Sequence, residues 1–198
     1  MPNGRVDSPA PMTSRMLCLS TVMLLVLPLF SASIAEEGGA SPRNRASWAL
    51  SSTGLPTTNN YYGVTFADID NDGDLDLLAT ATNGGLKAYL NNGAGCWTAV
   101  PQPPGTTAGS DLRAGDIDND GYLDVITGSP DSTNGIHVFR GNGTGRFTEI
   151  TSGSGVATSG TWRGIAVGDV NKDGKLDFAA TNGYSGGLGM RVYTGDGT

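Results

Sequence analysis

The sequence predicts an all-β fold made of β-propeller blades, each a sheet of four antiparallel strands. Three observations lead there. A segment recurs every 49 or 50 residues, the interval separating Trp48, Trp97 and Phe147. Within each repeat, apolar side chains alternate with polar ones at the period of a strand. Glycine is abundant, 31 of 198 residues, which disfavours long helices and suits short strands joined by sharp turns. Four-stranded units repeating at 40–50 residues are the pattern of propeller blades.

The N-terminal stretch has a different character. Arg15 precedes an apolar run from Met16 to Phe30, and the small residues Ser31-Ala32-Ser33-Ile34-Ala35 follow it. A positive start, an apolar core and a small-residue cleavage site form a secretory signal, so residues 1–35 are expected to be a signal peptide cleaved after Ala35. The run contains Pro28 and is short for a membrane span, which takes about 20 residues. Cleavage would remove Cys18 and leave Cys96 alone, with no intramolecular disulfide. Residues 36–47 read as a linker. Residues 48–198 read as the repeat domain, in units of about 48–96, 97–146 and 147–198, the last incomplete.

Strands follow from the alternation. In the first unit Leu86, Ala88 and Leu90 share one face, and Lys87 and Tyr89 the other. In the second, Ile136, Val138 and Arg140 oppose His137 and Phe139. Asn92-Gly93 and Asn142-Gly143 mark tight hairpin turns, because Asn and Gly accept positive φ. The strands expected for the first unit are 63–69, 75–81, 86–91 and 97–101. Trp48, Trp97 and Phe147 are expected to pack between blades. Three blades are fewer than the four to eight of a closed propeller, so the remaining blades are expected from a longer chain or from oligomerisation.

The chemistry lies in three acidic loops. They read Asp68-Ile69-Asp70-Asn71-Asp72-Gly73-Asp74-Leu75-Asp76, Asp116-Ile117-Asp118-Asn119-Asp120-Gly121-Tyr122-Leu123-Asp124, and Asp169-Val170-Asn171-Lys172-Asp173-Gly174-Lys175-Leu176-Asp177. The shared pattern is D-x-[DN]-x-D-G-x-x-D. Side-chain oxygens at positions 1, 3, 5 and 9 converge if the chain turns sharply at the position 6 glycine. The backbone carbonyl at position 7 (Asp74, Tyr122, Lys175) adds another ligand. Five or more hard oxygen donors suit Ca²⁺ better than the stricter octahedron of Mg²⁺. An EF-hand loop would carry Glu at position 12; here that position holds Ala79, Thr127 and Ala180. About three Ca²⁺, one per loop, are therefore expected. The loops carry five, four and three acidic residues, and the third also carries Lys172 and Lys175, so it should bind most weakly.

These loops, the Asn-Gly-x-Gly turns and the aromatic residues that follow two of them resemble the FG-GAP/VCBS repeats of integrin α-subunit propellers and many exported microbial proteins. The resemblance spans about residues 46–198. It implies calcium held in the hairpin between the first two strands of each blade. It also implies an exported module, secreted or at the cell surface, that serves adhesion or binds an extracellular protein or glycan ligand. The alternative it implies is a propeller forming part of a secreted carbohydrate-active enzyme such as a polysaccharide lyase.

Composition narrows the other classes. One histidine, His137, is poor material for a catalytic triad, and His and Cys are too few for a zinc site. A net charge of −7 opposes nucleic-acid binding, which calls for a basic patch. No acid–base pair stands outside the loops, so no catalytic constellation is found. Tyr61, Tyr62 and Trp162, just before strands that enter loops, are the candidate ligand-facing aromatics.

Overall fold

Every acidic loop joins the first two strands of an antiparallel meander. The computed structural model describes residues 47–82, 85–103, 109–131, 133–183 and 189–198. The expected signal and most of the expected linker lie outside the described residues. Leu50–Thr198 form one compact unit.

That unit holds eleven strands among the described residues and no helix. β1 (Tyr61–Ala67), β2 (Asp76–Ala81), β3 (Gly85–Asn91) and β4 (Trp97–Val100) make the first sheet, in that order. β5 (Asp111–Gly115), β6 (Asp124–Gly128), β7 (Ile136–Gly141) and β8 (Phe147–Glu149) make the second. β9 (Trp162–Gly168), β10 (Asp177–Asn182) and β11 (Met190–Tyr193) make the third. All pairings within the sheets are antiparallel. The sequence repeat is offset from the sheet by one strand: Trp97 and Phe147, which open repeat units, begin the last strands of the first and second sheets.

The sheets stack face to face, and the apolar core lies between them. Leu78, Leu86, Leu112, Val125, Phe139 and Phe147 fill the space between the first two sheets. Ile126, Ile136, Trp162, Ile165 and Phe178 fill the space between the second and third. Alternation along the strands produces both layers, since each interior strand has one face toward each neighbour. A cleft of about 570 Å³ extends the second layer past Ile117, Val167, Leu176 and Tyr193. The outer faces of the row stay open and apolar. Val64 and Phe66 on the first sheet and Met190 and Val192 on the third are exposed, so the sheets do not close into a ring.

Polar ties fix the stacking. The Gln102 side chain donates to Gly145 O (2.8 Å) and accepts from Phe147 N–H (3.1 Å), tying the end of β4 to the turn before β8. Gly145 N–H also reaches Ile69 O, inside the first loop, at 3.2 Å. Asp111 Oδ2 accepts from Ile165 N–H at 3.0 Å, joining β5 to β9.

Of the three recurring aromatics, Phe147 alone is buried between sheets. Trp97 is half-buried and stacks on Phe66 across the open face of the first sheet, with centroids 6.1 Å apart. Trp48 is 94 % exposed. The expectation of a common inter-blade role is therefore corrected for the two tryptophans.

Candidate metal centre

The three loops share one backbone solution. Position 1 serves as a hub. Asp68 accepts from the N–H groups of Asp72 (3.1 Å) and Gly73 (3.0 Å). Asp116 accepts likewise from Asp120 (3.1 Å) and Gly121 (3.0 Å). Asp169 accepts from Asp173 (3.2 Å) and Gly174 (2.9 Å). Position 5 then accepts from the N–H at position 7, in Asp72–Asp74, Asp120–Tyr122 and Asp173–Lys175. The chain can wrap its own carboxylate this tightly because two residues per loop are left-handed. The position 6 glycines, Gly73, Gly121 and Gly174, have φ of 90°, 89° and 83°. Asn71, Asn119 and Lys172 at position 4 have φ of 59°, 58° and 64°. Asn tolerates that region, and its recurrence at position 4 of two loops was the available sequence signal. Lys172 tolerates it less well.

Position 9 has a different environment. Asp76, Asp124 and Asp177 are 0, 2 and 1 % exposed. One oxygen of each accepts from the position 2 N–H: Ile69 at 3.0 Å, Ile117 at 2.9 Å and Val170 at 2.9 Å. The other accepts from the chain at the end of the sheet's third strand: Asn91 at 2.8 Å, Gly141 at 2.8 Å and Gly195 at 2.9 Å. Position 9 thus clamps the loop to the sheet. An ionised carboxylate has about four acceptor sites, so the clamp leaves acceptor capacity for a cation. Burial pushes Asp76 and Asp124 above the usual carboxylate range against the pull of those N–H groups. Asp177 goes the other way, held below that range by Gly195 and Val170 N–H.

The loops differ in how far their acids converge. Oxygens of Asp68, Asp70 and Asp76 all lie within 4.8 Å of one another, as do those of Asp116, Asp118 and Asp120. Among the described residues the third loop forms no such acidic group: position 3 is the neutral Asn171, and Asp169 is exposed where Asp68 and Asp116 are half-buried. In the first loop Asp70 Oδ1 is sealed from solvent and has no hydrogen-bond partner. Burial, then repulsion from Asp72 and Asp68, pushes the Asp70 carboxyl up. A buried carboxylate oxygen without a donor is costly, and a cation among these acids removes that cost. The donor set, all oxygen and all hard, therefore fits Ca²⁺. Of the other predicted ligand positions, Asp72, Asp120 and Asp173 are engaged with the amides of Asp74, Tyr122 and Lys175 in the backbone wrapping.

Matching the chain against protein-family models gives an FG-GAP-like repeat three times, over residues 43–79, 76–127 and 116–180. The chain belongs to the FG-GAP-like repeat family. The three matches follow the three acidic loops and their flanking strands, so the FG-GAP-like repeat and the observed hairpin coincide. No curated protein matches the chain significantly. Among the described residues, no helix is long and apolar enough to cross a membrane.

The other polar candidates resolve into structure. His137 Nδ1 pairs with Glu149 Oε1 across β7 and β8 at 2.7 Å. Trp162 is fully buried, so it is core and not a ligand-facing aromatic. Tyr61 and Tyr62 remain exposed, Tyr61 with its hydroxyl 3.2 Å from that of Tyr89.

Proposed function

We propose that this FG-GAP-like repeat chain is an exported, calcium-stapled propeller module that binds an extracellular protein or glycan ligand. Asp70 Oδ1 carries the calcium reading: an oxygen sealed among like charges and offered no donor. The same nine-residue geometry in all three sheets supports it. Asp68, Asp70, Asp72 and Asp76 would hold the first ion, Asp116, Asp118, Asp120 and Asp124 the second, and Asp169, Asn171, Asp173 and Asp177 the third. The carbonyls of Asp74, Tyr122 and Lys175 would complete the sets. A bound ion supplies charge neutralisation, which draws each loop together and fixes the hairpin that positions the next strand. The role is structural, and the ligand would meet exposed side chains beside the loops, Tyr61 and Tyr62 among them.

Export rests on the signal-like segment at 1–35, and the ligand-binding role on the family resemblance. Thermal unfolding in millimolar CaCl₂ and in excess EGTA tests the calcium reading. The melting temperature is expected to be several degrees higher in calcium. Equal melting temperatures would overturn it.

A further inference from the structure

The three loops differ most at position 3, and the difference extends to the strand opposite. In the first loop Asp70 Oδ1 is buried and unpartnered. In the second, Asp118 is only 10 % exposed and both its oxygens are engaged. Oδ1 accepts from Asp120 N–H at 3.2 Å, and Oδ2 pairs with the Arg140 guanidinium at 2.6 Å. In the third, Asn171 is neutral, and its amide donates to Asp173 Oδ2 at 3.0 Å.

Arg140 lies near the end of β7, one residue before Gly141, whose N–H binds Asp124. The matching residue in the first sheet, one before Asn91, is Leu90; in the third, one before Gly195, it is Thr194. Only the second sheet places a cation there. The pairing has no local signature, because Arg140 is 22 positions from Asp118 and reads simply as a strand residue.

We infer that Arg140 is a built-in counter-ion of the second loop, competing with calcium for Asp118. This rests on the calcium reading above. The guanidinium occupies the Asp118 oxygen that the loop backbone leaves free, so one of the second loop's four acids is paired before any metal arrives. Calcium must displace Arg140 or share Asp118 with it, whereas the first loop offers a bare oxygen. The second site therefore binds more weakly than the first despite an intact D-x-D-x-D-G-x-x-D pattern. Arg140 is a positioning residue for Asp118 and contributes no ligand of its own.

The glycine at position 6 of each loop donates its amide to the position 1 carboxylate, so Gly73, Gly121 and Gly174 report separately. Their amide resonances are followed by NMR as CaCl₂ is added to the ¹⁵N-labelled full chain. The variants are Arg140→Gln, which removes the charge at a half-exposed strand position, and Arg140→Lys, which keeps it. In wild type, Gly73 should saturate at lower calcium than Gly121. In Arg140→Gln, the Gly121 midpoint should fall about tenfold, the scale of a partly buried ion pair, with Gly73 unmoved. Arg140→Lys should stay within about twofold of wild type, since a lysine still presents a unit charge. An unchanged or higher Gly121 midpoint in Arg140→Gln, or equal shifts in both variants, would overturn the inference while leaving calcium binding intact. No movement of any of the three glycines in wild type would overturn the calcium reading, and this one with it.

Discussion

Replacing Asp124 by alanine separates the two roles that position 9 holds. The carboxylate accepts from Ile117 N–H and Gly141 N–H and is 2 % exposed. Alanine leaves both amides buried without acceptors, at about 1–3 kcal/mol each. Set against that is the desolvation of the carboxylate itself, which its raised pKa reveals. A net loss of about 2–4 kcal/mol follows, a large share of the roughly 5–15 kcal/mol that holds an ordinary domain. Asp124→Asn keeps one acceptor oxygen and turns an NH₂ toward the other donor, so it should lose about half as much. The assay is urea denaturation in EGTA, where no ion contributes. With a slope of about 2 kcal/mol/M, a 3 kcal/mol loss lowers the midpoint by about 1.5 M. A variant as stable as wild type in EGTA, and weaker only in calcium, would refute the clamp and leave Asp124 as a ligand alone.

Other expectations follow from the same geometry. Leu112→Ala empties a fully buried position between the first two sheets and should cost about 2–5 kcal/mol, read by chemical denaturation. Gly73→Ala meets no atom within 4 Å of the new Cβ but sits at φ 90°, so its loss should be about 1–3 kcal/mol from backbone strain alone. Gly128→Ala should lose more by the same measurement, since its Cβ runs into the backbone carbonyl of Trp162. Burial and the Tyr61 hydroxyl push the Tyr89 phenol upward from 10.0. The unfolded chain therefore ionises first as pH rises above about 10, and stability should fall there. Tyr89→Phe should flatten that fall in alkaline denaturation curves.

Much of the fold could be read from period alone. The strands expected at 75–81, 86–91 and 97–101 are β2, β3 and β4 to within a residue, because alternation and Asn-Gly turns bound them. β1 begins two residues before its expected start, since a register shift between Tyr61 and Val64 breaks the alternation that would have shown it. The loops were legible because their ligands are local. The position 9 clamp was not, because its second donor comes from Asn91, Gly141 or Gly195, 15 to 18 residues on. Hydrophobicity likewise did not say which aromatics face a neighbouring sheet. Phe147 follows the Gly145 turn that packs against the first sheet, whereas Trp97 turns to the open face, against Phe66.

Whether these loops hold cations is decided by anomalous diffraction from crystals grown in calcium. A strong peak is expected among Asp68, Asp70, Asp72 and Asp76, a weaker one beside Asp116, Asp118 and Asp120, and the weakest in the loop of Asp169. No anomalous peak among the first loop's carboxylates, in well-ordered density at millimolar calcium, would contradict the calcium reading.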